Sequence, residues 1–396
     1  MALDLLNAKG TPLDRQVFTW KDLVQKPLSK LNQDAFTRVR VILMNGIEFE
    51  SVMYSHNCAR MNRDLRLPLA RIRDLDHKQQ TMINWLLPAD LSPIETTIAY
   101  EQVAIEVTAS IALNEPDPYM AQNHRFGLLE DFDHLYRYSA LLDRVEGKDA
   151  NNIIQSYTDI LPGRPTAVEH RHPHDNVRRS YDKNTADIRS KLNAMTLTAG
   201  EQQTLNYYMN IGPLFSDPVA RQLYAEIAAI EEQHVTQYES LIDPDETMLE
   251  KLVMHKACEV YNYWSCVESE TDPRIKAIWE RFLDYELGHL SEVLELFKTI
   301  ERRDPAEILP KTLPKPIEYV SHREFVRSVL AAEVDLRANG EEIVPMDRES
   351  ELSIRYREQF NSEGNPSEIV SRGYQWVPGG ELVHQFGGLT RQGVHA

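Results

Sequence analysis

Three segments of the chain align without a gap: DPYMAQNHRFGLLEDFDHLYRYSA at 117–140, DPVARQLYAEIAAIEEQHVTQYES at 217–240 and DPRIKAIWERFLDYELGHLSEVLE at 272–295. Each begins with Asp-Pro, the usual opening of a helix, because the aspartate caps free backbone N–H groups and proline is tolerated in the first turn. Thirteen residues after each proline stands a carboxylate, and three residues later a histidine. The three pairs are Asp131 and His134, Glu231 and His234, and Glu286 and His289.

A glutamate on the preceding helix matches each of these pairs in depth. Glu101 and Glu201 stand seventeen residues before the proline of the segment that follows them, and Glu259 stands fourteen residues before its own. A helix rises about 1.5 Å per residue, so both helices place these groups about 20 Å from the turn. The sequence therefore predicts three helical hairpins that carry acidic and imidazole groups at one level.

Carboxylates and imidazoles at this spacing predict a metal site. Residues at i and i+3 lie on one face of a helix, so each acid-x-x-His pair can converge on one ion. Two such hairpins supply a glutamate from each of two helices and an acid-x-x-His pair from each of the others, as in di-iron and di-manganese carboxylate bundles. The candidate ligands are Glu101, Asp131, His134, Glu201, Glu231, His234, Glu259, Glu286 and His289.

On these nine residues the chain resembles the ferritin-like superfamily, and its rubrerythrin-like members most closely, over residues 95–300. The resemblance implies an all-α, ferritin-like bundle with a non-haem centre of two iron ions, or manganese, that reacts with oxygen or peroxide or oxidises ferrous iron. Asp131 departs from the glutamate that the family usually has there, and the adjacent Glu130 is a candidate substitute. The chain has no Cys-x-x-Cys pair for a rubredoxin-type iron, so electrons would come from an external donor.

The lengths of the connections favour one pairing of hairpins. Residues 146–198 are long enough to cross a bundle, whereas the link 241–246 is too short if helix resumes at once. Two alternatives stay open: the second and third hairpins could pair if helix starts near Leu252, or the third could meet its copy in a homodimer. The expected intrachain site is formed by Glu101, Asp131, His134, Glu201, Glu231 and His234.

The pattern of helix breakers divides the chain into three parts. An N-terminal helical segment is expected over 1–90 and a metal-binding helical domain over 91–302. The part 303–396 is expected to be an extension with one helix and then mostly irregular chain. The hairpins of the domain are predicted at 92–145, 198–242 and 246–301.

Two further groups of charged residues are not assigned as metal ligands. The run Glu169 to Asp175 contains three histidines, and we interpret it as a solvated or substrate-facing loop because its proline breaks helical spacing. Asp74 and His77 also show the acid-x-x-His spacing, but their distance from a turn does not match that of the other pairs. Residues 48–77 are therefore assigned to core and surface rather than to a fourth metal-binding hairpin.

Composition restricts the environment and the partners of the protein. The net charge of −18 disfavours binding to nucleic acid and to anionic membrane surfaces. No segment approaches the apolar length of a membrane span, and the first thirty residues lack the apolar stretch of a secretion signal. The three scattered cysteines fit a reducing compartment. We therefore expect a cytoplasmic protein.

These observations lead to one main hypothesis and two alternatives. The main hypothesis is a dimetal oxidoreductase whose partners are a small oxidant, peroxide or oxygen, and an external electron donor. The alternatives are a protein that oxidises and sequesters iron, and a metal-free helical structural or regulatory protein. An oxygenase acting on an organic molecule would need an apolar pocket beside the ions, whereas a peroxidase would need only a small channel.

Overall fold

The computed structural model describes residues 3–379 of the 396-residue chain. Helices make up 66% of the structure, and the described residues contain only one sheet, which has two strands. This high helix content confirms the all-α prediction. Residues 380–396, the end of the tail expected to be irregular, lie outside the described residues. Among the helices of the described part, none has the length and the apolar character that a bilayer crossing requires.

The α-helices follow one another with short connections in most places. In chain order they are α1 (Trp20–Leu23), α2 (Ala35–Met61), α3 (Arg66–Asn84), α4 (Pro93–Asn114), α5 (Pro118–Glu146), α6 (Asn151–Ile154), α7 (Ile188–Ile211), α8 (Pro218–Glu239), α9 (Met248–Ser269), α10 (Pro273–Glu301), α11 (Arg323–Glu333), α12 (Glu351–Phe360) and α13 (Pro366–Val370). The strands β1 (Leu336–Asn339) and β2 (Glu342–Pro345) pair antiparallel.

The three Asp-Pro helix openings are formed in the structure. Asp117, Asp217 and Asp272 each accept hydrogen bonds from two backbone N–H groups of the first turn, and a proline follows each of them. These caps determine where α5, α8 and α10 begin. They therefore also determine the depth at which the three acid-x-x-His pairs lie.

The long helices form four hairpins that pack as two four-helix bundles. Hairpins α4/α5 and α7/α8 form the first bundle, and hairpins α2/α3 and α9/α10 form the second bundle. The two bundles contact each other through α2, α4, α7 and α9. Helix α2 is therefore buried along much of its length.

The third predicted hairpin, α9/α10, does not share a bundle with the other two. It packs on α2/α3, so the expected domain 91–302 is divided between two bundles. Residues 48–77 belong to a fourth hairpin, to which the sequence analysis assigned no metal ligand. The short link between α8 and α9 cannot carry α9 across the first bundle. Helix α9 lies next to α7 instead, and it also contacts α2.

The connection and the C-terminal part hold more structure than expected. Helix α7 begins at Ile188 rather than near Thr198, because Asp187 caps its first turn. Up to residue 379, the extension contains three α-helices and the sheet rather than one helix, with α11 packed on α5 and α13 packed on α5 and α8. Arg357 and Asn361 of this part donate hydrogen bonds to backbone oxygens of the connection at 3.0 and 2.8 Å. The C-terminal part therefore covers the connection on the first bundle.

Candidate metal centre

Six side chains meet inside the first bundle, and all four of its helices contribute. Their ligand atoms form two overlapping groups in which all atoms lie within 4.8 Å of one another, and every one of these side chains is buried. The structure thus brings together the residues of the pairing that connection length favours. We call them the first cluster: Glu101, Asp131, His134, Glu201, Glu231 and His234.

Glu231 stands between the two histidines of the first cluster. Its Oε1 atom lies 3.2 Å from Nδ1 of His134, and its Oε2 atom lies 3.4 Å from Nδ1 of His234. Oδ1 of Asp131 lies 3.3 Å from the same nitrogen of His234. Two ligand atoms bound at right angles to one ion at about 2.1 Å are about 3 Å apart. These separations therefore suit one ion beside each histidine, with Glu231 between the ions.

The atoms that face the centre of the first cluster have no hydrogen-bond partner. They are Nδ1 of both histidines, both carboxylate oxygens of Asp131 and of Glu231, and one oxygen of each partner glutamate. An unsatisfied buried polar group costs about 1–3 kcal/mol, and more when it is charged, so this set calls for a bound cation. Mixed carboxylate and imidazole ligands suit iron and manganese. The residues of the first cluster therefore fit a dimetal centre.

A carboxylate holds the outward nitrogen of each histidine in the first cluster. Nε2 of His134 lies 2.9 Å from Oε2 of Glu169, and Nε2 of His234 lies 2.7 Å from Oε2 of Glu130. Such a carboxylate keeps the proton on Nε2 and directs the Nδ1 lone pair to an ion. Glu130 therefore does not substitute for Asp131, because it faces away from the centre and orients His234.

Two buried arginines neutralise Glu130. Nη1 of Arg164 donates to Oε1 of Glu130 at 3.2 Å, and Nη1 of Arg171 donates to the same oxygen. Burial raises the pKa of Glu130, but the two arginines and His234 outweigh burial and hold this pKa far below its ordinary value. Both guanidinium groups also lie over the ring of Phe126. Glu130 therefore stays ionised and holds His234 in one tautomer.

The run from Glu169 to Asp175 is largely buried, so its interpretation as a solvated loop was wrong. Only the middle of the run, including His174, is exposed. Nearby, the backbone N–H groups of Gly163 and Thr166 donate to Asp133 of α5 at 3.0 and 2.7 Å. Local sequence does not show this burial, because the polar groups of the run find their partners on distant helices.

Burial and the charges of neighbouring side chains shift the pKa values of the residues in the first cluster. Burial raises the pKa values of Glu101 and Glu201 well above their ordinary value, and neighbouring carboxylates add to this shift. Burial lowers the pKa values of His134 and His234, but the carboxylates around them outweigh burial and leave both pKa values well above the ordinary value. Burial also raises the pKa of Glu231, yet its close contacts with both histidines outweigh burial and lower this pKa to about 2. A metal ion must therefore displace protons from the histidines at neutral pH.

A tyrosine restrains one ligand of the first cluster. Tyr208 of α7 donates its hydroxyl hydrogen to Oε1 of Glu101, which leaves Oε2 facing the cluster. The rings of Tyr138 and Tyr224 pack on the ring of Tyr208, with centroids 5.2 and 5.6 Å apart. The orientation of Glu101 is thus held by a packed aromatic group.

The other three candidate ligands lie together inside the second bundle. They meet two carboxylates from α2 and α3, and the ammonium of Lys256 lies among them. All of these side chains are buried. We call them the second cluster: Glu48, Asp76, Lys256, Glu259, Glu286 and His289.

Sequence reasoning missed the contribution of α3 to the second cluster. Asp74 and His77 show the acid-x-x-His spacing, but both are exposed. Asp76 and Gln79 have the same spacing on the buried face of α3. A motif that allows glutamine in place of the histidine would have identified Asp76 and Gln79, together with Glu48 on the preceding helix.

A small cavity reaches one ligand of the first cluster. Its volume is about 20 Å³, and it lies between α2, α4 and α7. A cavity needs about 10–15 Å³ to hold one water molecule, so this one suits a molecule of similar size. A second cavity of about 610 Å³, lined by residues such as Tyr54, Arg178 and His255, includes no residue of either cluster. The small cavity is lined by Leu43, Val103, Ala104, Val107, Thr108, Thr196, Leu197, Gly200, Glu201 and Thr204.

No protein-family model, curated protein or solved structure matches the chain.

Proposed function

We propose that the first cluster binds two iron or manganese ions and that the protein is a ferritin-like, rubrerythrin-like oxidoreductase that reduces peroxide or oxygen. The observation that carries this proposal is the set of buried, unpartnered ligand atoms that four helices direct to one point. Hydrogen bonds among protein groups do not account for these atoms. Two divalent cations would bind all of them.

The order of the helices supports the ferritin-like assignment. Each hairpin of the first bundle carries a glutamate on its first helix and an acid-x-x-His pair on its second. The long connection 147–187 joins the two hairpins, and one long crossover is typical of ferritin-like bundles. The order of the ligands and the connectivity of the first bundle therefore support the proposal.

Each ion would have its own terminal ligands. Glu101 would bind the ion beside His134, and Glu201 would bind the ion beside His234. The carboxylates of the two acid-x-x-His pairs, Asp131 and Glu231, lie between the histidines and would help to hold both ions. When bound, the ion pair would supply the redox chemistry that reduces peroxide or oxygen to water with electrons from an external donor.

The remaining residues position these ligands. Glu169 and Glu130 each accept the Nε2 proton of a histidine, so the Nδ1 lone pair points to the ion. Tyr208 holds Glu101 with one oxygen directed inward. Burial of the whole cluster excludes water, so the carboxylates meet a cation rather than solvent.

The cavity at Glu201 favours a small oxidant over an organic substrate. Its volume of about 20 Å³ leaves no room for a larger molecule, and most of its lining is apolar. The cavity of about 610 Å³ has room for an organic molecule, but none of the candidate ligands lines it. A peroxidase or an oxygen reductase needs only the smaller cavity.

Metal analysis of matched histidine variants tests the site. Iron or manganese per chain is measured after anaerobic purification of the wild type and of His134→Gln, His234→Gln and His124→Gln. His124 is the control, because it is fully buried on α5 but belongs to neither cluster. We expect the first two variants to lose the ions of the first cluster and the control to keep them. Equal metal content in all four proteins, or no metal after reconstitution, would overturn the proposal.

Stoichiometry separates a reductase from an iron-storage protein. Hydrogen peroxide is added to the anaerobic, iron-loaded protein, and oxidation of ferrous iron is followed by absorbance. A peroxide reductase should oxidise its two resident ferrous ions with one peroxide, take up two protons and release two waters, and a reductant should restore the ferrous state. Continued uptake of added iron far beyond the bound ions would support sequestration instead.

A further inference from the structure

Two carboxylates of the second cluster each face two different groups. Oδ1 of Asp76 and Oε1 of Glu286 both lie 2.9 Å from Nδ1 of His289, and this nitrogen has no hydrogen-bond partner. The other oxygens, Oδ2 and Oε2, lie 2.9 and 3.5 Å from Nζ of Lys256. In the first cluster, Glu231 stands in the same way between two histidines. The second cluster therefore has two cation positions, and an ammonium occupies one of them.

A residue of the N-terminal segment orients His289. The side-chain amide of Gln16 donates to the backbone oxygens of Thr11 and Tyr285 at 2.8 and 3.1 Å, so its Oε1 atom is the acceptor that faces His289. Oε1 lies 2.7 Å from Nε2 of His289 and keeps the proton on that nitrogen. The Nδ1 lone pair then points inward, as it does for the two histidines of the first cluster.

Helix α3 brings no histidine to the second cluster. Gln79 stands three residues after Asp76, as His134 stands three residues after its own acid. The amide of Gln79 donates to Glu48 and Glu286 at 2.9 and 2.7 Å, so its NH₂ group, not a lone pair, faces the carboxylates. A metal ion has no nitrogen ligand at this position.

Lys256 brings positive charge to Oδ2 of Asp76 and Oε2 of Glu286, the two oxygens that do not face His289. It precedes Glu259 by one helical turn, and its Nζ atom lies 2.7 Å from Oε2 of Glu259. The side chain of Lys256 is fully buried. Thr198 stands at the equivalent place before Glu201 in the first bundle and brings no charge. The lysine therefore distinguishes the second cluster from the first.

One ammonium does not balance the second cluster. Its carboxylates are those of Glu48, Asp76, Glu259 and Glu286. Four buried carboxylates outnumber the one ammonium, and buried charge is costly unless it is paired. A divalent ion beside His289 would pair with the carboxylates of Asp76 and Glu286, and Glu48 accepts hydrogen bonds from Tyr263 and Gln79 that stabilise it.

We infer that the second cluster is a single-ion site in which Asp76, Glu286 and His289 bind one divalent transition-metal ion while Lys256 holds the place of a second. The separations of 2.9 Å between the ligand atoms match neighbouring ligands on one ion, about 3 Å apart. Two carboxylates and an imidazole suit manganese, iron or zinc. The ion joins α3 to α10 inside the second bundle, so its role is to stabilise this bundle. This site is independent of the dimetal function proposed above.

Mn²⁺ binding to the full chain tests the site. Equilibrium dialysis is performed with the wild type, His289→Gln and the control His124→Gln. We expect the wild type to bind one Mn²⁺ more than the two ions of the first cluster, and His289→Gln to lose that one ion alone. We also expect the electron paramagnetic resonance spectrum of the wild type to contain the signal of an isolated Mn²⁺ beside that of an exchange-coupled pair. The His289→Gln variant should lack the isolated signal.

The outcomes separate this inference from the proposed function. One ion that is lost in His289→Gln but kept in His134→Gln would support the single-ion site even if no pair binds to the first cluster. Mn²⁺ content that is unchanged in His289→Gln, with no isolated signal in the wild type, would overturn it. The spectrum of the wild type decides the question even if His289→Gln does not fold.

A second variant tests the role assigned to Lys256. The double variant Lys256→Thr with Gln79→His gives the second cluster the residue types of the first. We expect it to bind one Mn²⁺ more than the wild type and to gain a second exchange-coupled signal. An unchanged ion count in the folded variant would show that Lys256 does not hold the place of an ion.

Discussion

Nε2 of His134 lies 2.9 Å from Oε2 of Glu169, and this contact joins a candidate metal ligand on α5 to the connection between the two hairpins of the first bundle. The connection is therefore part of the site as well as a crossover. Burial strongly raises the pKa of Glu169, to about 8, even though His134 opposes this shift. Because Nε2 of His134 is occupied by this contact, Nδ1 is left to face the cluster.

Removing the Glu169 carboxylate should weaken metal binding. Glu169→Ala leaves Nε2 of His134 without its acceptor, and loss of such an outer partner typically lowers metal affinity about 10–100-fold. Glu169→Gln keeps an acceptor oxygen and should lose less. Competition titration with Mn²⁺ measures both variants, and Glu232→Ala on the exposed face of α8 is the control. Wild-type affinity in Glu169→Ala would show that the contact does not orient the histidine.

Gly163 should tolerate no side chain. A Cβ atom at this position would lie 2.3 Å from the backbone oxygen of Leu129 and 2.7 Å from the backbone nitrogen of Asp133, neither of which can move aside. Gly163→Ala should lower the free energy of unfolding by about 1–3 kcal/mol and weaken metal binding, because the connection that carries Glu169 must shift. Urea unfolding measures the first effect. Gly200→Ala is the control, because its Cβ meets open space.

Filling the cavity at Glu201 should slow peroxide reduction without removing metal. Gly200 lines this cavity, and a Cβ there has nothing within 4 Å. Gly200→Phe should lower the rate of ferrous oxidation by peroxide about tenfold, which corresponds to an increase of about 1.4 kcal/mol in the activation free energy. Gly200→Ala should have little effect on this rate. Stopped-flow absorbance of iron-loaded protein measures the rate. If Gly200→Phe reacts as fast as the wild type with the same iron content, the oxidant enters elsewhere.

Metal affinity of the first cluster should rise with pH. The pKa values of His134 and His234 lie well above the ordinary value, so both histidines are protonated at neutral pH before an ion binds. Binding releases these protons, so each one displaced strengthens binding about tenfold per pH unit while the pH stays below the raised pKa. Mn²⁺ titrations at several pH values, with proton release followed by a dye, measure this. A pH-independent affinity without proton release would contradict the assigned protonation.

Local sequence was sufficient to predict the relative positions of candidate ligands that lie on the same helix or in the same hairpin. The Asp-Pro caps set the start of α5, α8 and α10, and a regular rise per residue then sets the level of Asp131, Glu231 and Glu286. A spacing of three places each histidine on the same face as its acid. These relations depend only on residues within one helix or one hairpin.

Contacts between distant parts of the chain decided the rest. Glu169 and Gln16 stand in irregular segments, and each meets its histidine only because the segment folds against a bundle. Lys256 has the same helical setting as Thr198, yet it enters a cluster completed by α2 and α3. Periodicity determines which face of a helix is buried, but packing determines which helix lies opposite.

By itself, the sequence determined the three ligand-bearing hairpins, the Asp-Pro caps of α5, α8 and α10, and the depth of nine candidate ligands. Only the tertiary structure decided that these ligands divide into two clusters, with histidines in both and a lysine in the second alone. The physical reason is that caps and helical rise are properties of neighbouring residues. The partner of a buried charge is instead chosen by packing of whole hairpins and by the need to pair every buried polar group.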